Sequence, residues 1–174
     1  MICSRLVDES HLVEKKNKYL VDTNILLYLY GDAALSTETE KIKMLSNKFN
    51  RALEVGCEVF VPAVVIGEFI NRYHKLEFNH MKKVNLSVRD YKRDYRDKQC
   101  YLDNNKYIVE DVVKKIILDR CKVISDGLDR ANLESIFSIN ENQEFNDNLI
   151  IDIANRNNLY LISADKDTKK IRIR

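Results

Sequence analysis

Lys18-Tyr19-Leu20-Val21-Asp22-Thr23-Asn24 reads as a short apolar strand that stops on three polar residues. Ile25, Leu26, Leu27, Tyr28, Leu29 and Tyr30 follow as an unbroken apolar run, a buried helix or turn. Polar residues at a strand-to-helix junction mark the place where α/β sheets carry functional groups. The pattern repeats outward from there. Thr37 and Glu40 predict a capping box, and Ile42, Leu45, Phe49, Ala52 and Leu53 then recur at helical spacing until Gly56 stops the helix. Glu58-Val59-Phe60-Val61 reads as a second strand. Pro62 suits the first turn of the next helix, where its missing N–H is not needed, and Val64, Val65, Ile66, Gly67, Glu68, Phe69 and Ile70 continue it.

The distal half follows suit. An amphipathic helix is expected from Val109 to Leu118, a third strand over Cys121-Lys122-Val123-Ile124-Ser125 and a short helix from Ala131 to Ile139. Asn146 and Asp147 open a helix through Leu149, Ile150, Ile153 and Ala154, which Asn157-Asn158 breaks. Leu159-Tyr160-Leu161-Ile162-Ser163 is the fourth strand, ending in Ala164-Asp165-Lys166-Asp167. Strands alternating with helices predict an α/β fold whose mostly parallel sheet is covered on both faces.

Composition sets bounds on this reading. A chain of 174 residues with 45% hydrophobic and 32% charged residues fits one globular domain able to bury a sizeable core. Cys3, Cys57, Cys100 and Cys121 are scattered with no CxxC pair, so neither a zinc site nor a disulfide framework is indicated. With no apolar leader and no span of about 20 apolar residues, the chain reads as cytoplasmic, with no membrane partner. Net charge is only +2, so the balance of charge alone does not mark a nucleic-acid binder.

The acids at element ends carry more information. Asp22 follows strand one, Glu68 lies in the helix after strand two, Asp147 opens a helix, and Asp165 and Asp167 follow strand four. Parallel strands share one carboxyl edge, so Asp22 and Asp165 are expected to meet there, with Glu68 and Asp147 brought in by their helices. Converging carboxylates repel one another, and a hard divalent cation relieves that repulsion, with oxygen ligands favouring Mg²⁺ or Mn²⁺. Such ions serve phosphodiester hydrolysis. Each acid also has a plain structural role open to it: a helix cap for Asp22, a solvent-facing position for Glu68, a first-turn acid for Asp147, turn residues for Asp165 and Asp167.

Four segments together resemble the PIN-domain family, known through toxin ribonucleases of bacterial toxin–antitoxin pairs. They are Leu20-Val21-Asp22-Thr23-Asn24, the strand and Glu-bearing helix Val59 to Phe69, the Asp-led helix Asn146 to Ala154, and Leu161-Ile162-Ser163-Ala164-Asp165-Lys166-Asp167. The resemblance covers roughly Tyr19 to Ile171 and implies a three-layer sandwich with a central sheet. The length fits a single domain over 1–174 with its core at about 19–171, and the 72–105 segment, long for a small toxin of this family, departs from the pattern and reads as a helical, basic insertion or clamp. The resemblance also implies a metal-dependent endoribonuclease, commonly dimeric, that acts on RNA and pairs with an antitoxin protein. Carried over by position, Asp22, Glu68, Asp147 and Asp165 form the acidic, catalytic and metal-holding set, with Asn24 and Ser163 as polar supports. The family turn often ends in Asp-Phe, whereas Thr168 follows Asp167 here, so Asp165 and Asp167 both stand as the fourth ligand, with Asp165 favoured because it is nearer the strand end.

From Arg72 to Lys98 the chain has nine Lys/Arg against four acids, interleaved with Tyr73, Phe78, Tyr91 and Tyr95. Arg72, Lys75, Lys92, Arg93 and Arg96 are candidates for holding a phosphate backbone, and Tyr91 and Tyr95 for stacking on bases. The competing reading is a solvated helix whose cations pair with Asp90, Asp94 and Asp97 while the tyrosines pack on the core. A dehalogenase-type phosphohydrolase is disfavoured because its second Asp is Asn24 here, and no GxGxxG or GxxxxGK[ST] supports a nucleotide-binding module. Two alternatives remain beside the ribonuclease: a PIN fold that binds RNA or protein without cutting, and a structure-specific DNA nuclease.

Overall fold

The computed structural model describes residues 3–31, 39–137 and 144–165. Strands β1 (Lys18–Val21), β2 (Glu58–Pro62), β3 (Lys122–Ile124) and β4 (Tyr160–Ile162) form one sheet in the order β3-β2-β1-β4, with every pairing parallel. Tyr19, Leu20 and Val21 of β1, the strand between β2 and β4, are fully buried, as expected of a strand covered on both faces.

Helices α1 (Thr23–Tyr30) and α2 (Glu40–Glu54) connect β1 to β2, and α3 (Ala63–Val84) leaves β2. The chain continues through a π-helical turn (Lys92–Arg96), α4 (Gln99–Lys106), a longer π-helical stretch (Tyr107–Ile117) and α5 (Leu118–Arg120). After β3 come α6 (Leu133–Ile136) and α7 (Phe145–Arg156), then β4. By the right-hand rule for parallel crossovers, the strand order expects the helices before β3 over one face and those after it over the other. The direction of winding reverses beside β1, so the carboxyl ends of β1 and β4 flank the switch point at which α/β sheets leave a crevice.

Local chemistry explains both ends of α2. The expected Thr37 cap lies outside the described residues, and α2 is instead capped by Thr39, whose hydroxyl accepts from the Ile42 N–H at 3.2 Å. Gly56 follows that helix at φ 76°, a left-handed conformation that glycine adopts without strain. The stretch expected as an ordinary amphipathic helix from Val109 to Leu118 is π-helical, and buries Ile108, Val112, Val113 and Ile117 at spacings of four and five. Ahead of β1, Leu6 forms a parallel bridge to Leu161, the Val7 N–H donates to the Leu161 carbonyl and the Leu161 N–H to that of Arg5. The segment therefore covers the open edge of β4, which would otherwise present unpaired backbone groups.

Candidate active site

The β1–β4 register decides what meets in the crevice. Val21 pairs with Ile162, so Asp22 and Ser163 leave the sheet side by side, and the Asp22 N–H donates to the Ile162 carbonyl at 3.1 Å. Asp22 is the N-cap of α1, and its Oδ1 accepts from the Thr23 N–H at 2.6 Å. Its Oδ2 accepts from Ser163 Oγ at 2.6 Å and Asn24 Nδ2 at 2.9 Å. Asn24 Oδ1 accepts from the Ala164 N–H at 3.1 Å, and Ser163 Oγ from the Asp165 N–H at 3.1 Å. Asn24 and Ser163 thus bond Asp22 and also fix the turn that carries Asp165.

Glu68 reaches the same region from the second turn of α3. Thr23 Oγ1 donates to its Oε2 at 3.0 Å, and Arg72 Nε stands 2.7 Å from its Oε1. Asp147 lies in the first turn of α7, which starts at Phe145 rather than at Asn146, and its Oδ2 accepts from the Glu144 N–H at 3.2 Å. It is therefore a capping residue and also part of the acidic cluster.

Proton affinities report the convergence. Burial pushes the Asp22 carboxyl above the usual range against the opposing hydrogen bonds from Ser163 and Thr23, and the charges of Glu68 and Asp165 push it the same way. Burial also raises Asp147 to about 6, and the nearby charges of Asp165, Asp22 and Glu144 add to the shift. Asp22, Asp147 and Asp165 thus lie within one another's field, with Glu68 beside Asp22.

Among the described residues, no three His, Cys, Asp or Glu side chains stand close enough to form a ready-made metal cage. Glu68 is turned to Arg72 and Thr23, and Asp147 to its own helix start. The donor chemistry nevertheless suits a hard cation, since the converging groups are carboxylates without thiol or imidazole. Asp167 lies outside the described residues.

Two contributors went unnoticed in the sequence. Thr23 filled a variable position of the Asp-x-Asn motif, yet it bonds Glu68. Lys41 of α2 donates to the backbone carbonyls of Ala164 and Asp165, the latter at 2.9 Å, and nothing in its sequence context signals this. The basic stretch divides. Arg72 pairs with Glu68 and Arg93 with Asp94, whereas Lys75, Lys92 and Arg96 are exposed. Tyr95 is fully buried, which excludes it from stacking on a base, and packs in the core as the competing reading had it. His74 is buried against it, with Nδ1 2.9 Å from the tyrosine oxygen.

A family model, the PIN domain, matches residues 19–173. The chain belongs to the PIN-domain family. The matched region begins within β1 and takes in every strand, so the PIN assignment and the all-parallel sheet agree. PIN domains are generally nucleases that hydrolyse phosphodiester bonds and typically use divalent metals. Searches of curated proteins and of solved structures returned no match. No helix among the described residues is long and apolar enough to cross a membrane.

Proposed function

We propose that this PIN domain is a metal-dependent endoribonuclease in which Asp22, Glu68, Asp147 and Asp165 hold one or two Mg²⁺ or Mn²⁺ ions. The observation that carries the reading is the geometry at the carboxyl ends of β1 and β4, where Ser163 Oγ bonds both Asp22 and the Asp165 N–H and Thr23, next to Asp22, bonds Glu68. When bound, the ion supplies Lewis acidity toward a phosphate and lowers the pKa of water. The chain's own residues set the stage. Asn24, Ser163 and the Thr23 N–H fix both oxygens of Asp22. Lys41 and Ser163 hold the backbone of the Asp165 turn. Arg72, half-exposed beside Glu68, would meet an incoming phosphate. His74 is sealed against Tyr95 and Asn105, and His11 packs on Tyr19 and Tyr160, so neither serves as an acid or base at this crevice.

The toxin role, with an antitoxin protein and a homodimer as partners, extends this proposal. An adjacent small reading frame and a defined oligomer in solution are its tests. The non-catalytic reading draws on one observation, the Glu68–Arg72 ion pair, which occupies an acid that cation binding needs. Labelled RNA and single-stranded DNA incubated with Mg²⁺, Mn²⁺ or EDTA separate the readings. Metal-dependent RNA cutting by the wild type, lost in Asp22→Asn and Asp147→Asn, is the expected result. Binding without cutting supports the non-catalytic module, and cutting confined to DNA supports the DNA nuclease.

A further inference from the structure

Helix α3 joins the acidic crevice to a second feature. Glu68, Asn71, Arg72 and Lys75 recur at intervals that place them along one face of the helix. Seven residues of α-helix span about 10 Å, so Lys75 stands roughly that far along the axis from Glu68. There Asn71, Lys75, Tyr91, Arg96 and Tyr101 line a pocket of about 420 Å³. This lies within the roughly 300–1,000 Å³ usual for small-molecule sites.

The lining has a consistent chemistry. It holds two cations, two phenol rings and an amide, and no carboxylate. Neither Lys75 nor Arg96 forms an ion pair among the described residues, in contrast to Arg72 and Arg93. The rings are braced from behind. Tyr95 is fully buried, with its ring 5.6 Å from Tyr91 and 5.5 Å from Tyr101. Phe78 meets Tyr91 edge-on at 5.3 Å, and buried His74 stacks at 4.3 Å from Tyr101. The Tyr95 hydroxyl is held by His74 and by Asn104 Nδ2 at 3.3 Å. Aromatic faces fixed in place lose little entropy when a planar ligand stacks on them.

We propose that this pocket seats one unstacked nucleotide of a single-stranded substrate, a short distance along the strand from the phosphate at the crevice. The base stacks on Tyr91 or Tyr101, Asn71 offers a donor and an acceptor to its edge, and Lys75 and Arg96 take the phosphate. The placement rests on the nuclease reading, but the nucleotide seat itself requires no catalysis.

The test is fluorescence anisotropy with a short labelled oligonucleotide, as RNA and as DNA of the same sequence, in EDTA across a salt series. Lys75→Ala/Arg96→Ala is expected to weaken binding at least tenfold. It also flattens the plot of log affinity against log salt by about 0.7, since the two cations share one phosphate and each phosphate neutralised on a single strand contributes about that much. Tyr91→Leu is expected to weaken binding roughly 5- to 150-fold with the salt slope unchanged, the loss of one stacked base, while Tyr91→Phe stays near wild type. Lys106→Ala, which removes a cation outside the pocket, controls for net charge, and circular dichroism for folding. Stronger loss on RNA identifies RNA as the source of the nucleotide, and equal loss identifies any single strand. Both results support the seat. Wild-type affinity and slope in the folded double variant overturn it, as does a wild type that binds neither strand. Parallel cleavage assays with Mg²⁺ or Mn²⁺ keep the two readings apart. Lost binding in the pocket variants of a protein that never cuts leaves the seat standing and removes the nuclease. Pocket variants that bind and cut like wild type do the reverse.

Discussion

Replacing Asp147 with Asn should stabilise the protein in EDTA while removing its activity. The Asp147 carboxyl is raised from an ordinary 3.8 to about 6, which corresponds to about 3 kcal/mol between its protonation states. The sign follows from linkage. Between pH 3.8 and 6 the folded protein retains a proton that the unfolded chain has released, so this group's contribution falls as pH rises through that window. Above it, the wild type bears the full penalty of an ionised, partly buried acid beside Asp165 and Asp22. Asparagine carries no charge, and its side-chain oxygen still accepts from the Glu144 N–H, preserving the helix start. Partial exposure and imperfect capping reduce the gain to about 1–2 kcal/mol at neutral pH, or roughly 2–8 °C in Tm for a chain of this size. Thermal unfolding by circular dichroism in EDTA at several pH values checks it. The difference between variant and wild type should be near zero or slightly negative below pH 4 and reach its plateau above pH 6. Added Mg²⁺ or Mn²⁺ should stabilise the wild type more than the variant. A variant equally destabilised at pH 4 and pH 7.5 would refute the electrostatic reasoning and leave Asp147 as a capping residue only.

Ser163→Ala removes the 2.6 Å bond to Asp22 and the acceptor for the Asp165 N–H; urea unfolding should show a loss of about 1–3 kcal/mol, and cutting should fall because the Asp165 turn is no longer held. Arg72→Ala frees Glu68 Oε1, so Mn²⁺ affinity measured by calorimetry should rise while RNA affinity falls; weaker metal binding would argue that Arg72 positions Glu68 rather than competing for it. Tyr95→Phe leaves His74 and Asn104 without their shared partner and should cost about 1–3 kcal/mol in chemical denaturation. Burial also lowers the His74 pKa, so the folded state resists a proton that the unfolded chain accepts below about pH 6.5. Stability should therefore fall on acidification through that point, and His74→Gln should flatten this part of the profile.

The strands were legible because central parallel strands are apolar on both faces, and Tyr19-Leu20-Val21 can hardly be read otherwise. The convergence of Asp22 with Asp165 was legible for a related reason, since parallel strands share a carboxyl edge. What failed to show were contacts made by residues of no fixed pattern. Thr23 and Lys41 act through a hydroxyl and an ammonium that reach across elements distant in sequence. The π-helical stretch was read as an ordinary helix because spacings of four and five overlap the α-helical period over so short a run. The segment ahead of β1 carries no motif that signals its pairing to β4, a contact with the far end of the chain.

Helix α3 shows why the basic stretch from Arg72 to Lys98 is better understood as part of the site's architecture than as a charged appendage. Its 22 residues span about 33 Å, far more than a short parallel strand needs for its crossover. Its first turns bury Val65 and Phe69 in the core and present Glu68 at the crevice. Its later turns bury Tyr73 and His74, and His74 bonds Tyr95 of the returning segment. One rigid rod therefore fixes the distance between an acid at the crevice and the tyrosine cluster behind the cationic pocket. A loop insertion of the same charge would attract a phosphate backbone equally well by its field, but it would not hold any nucleotide at a set distance from the carboxylates. The energy spent burying an imidazole and a phenol together is explained if that distance matters, and a surface charge patch alone gives no reason for it.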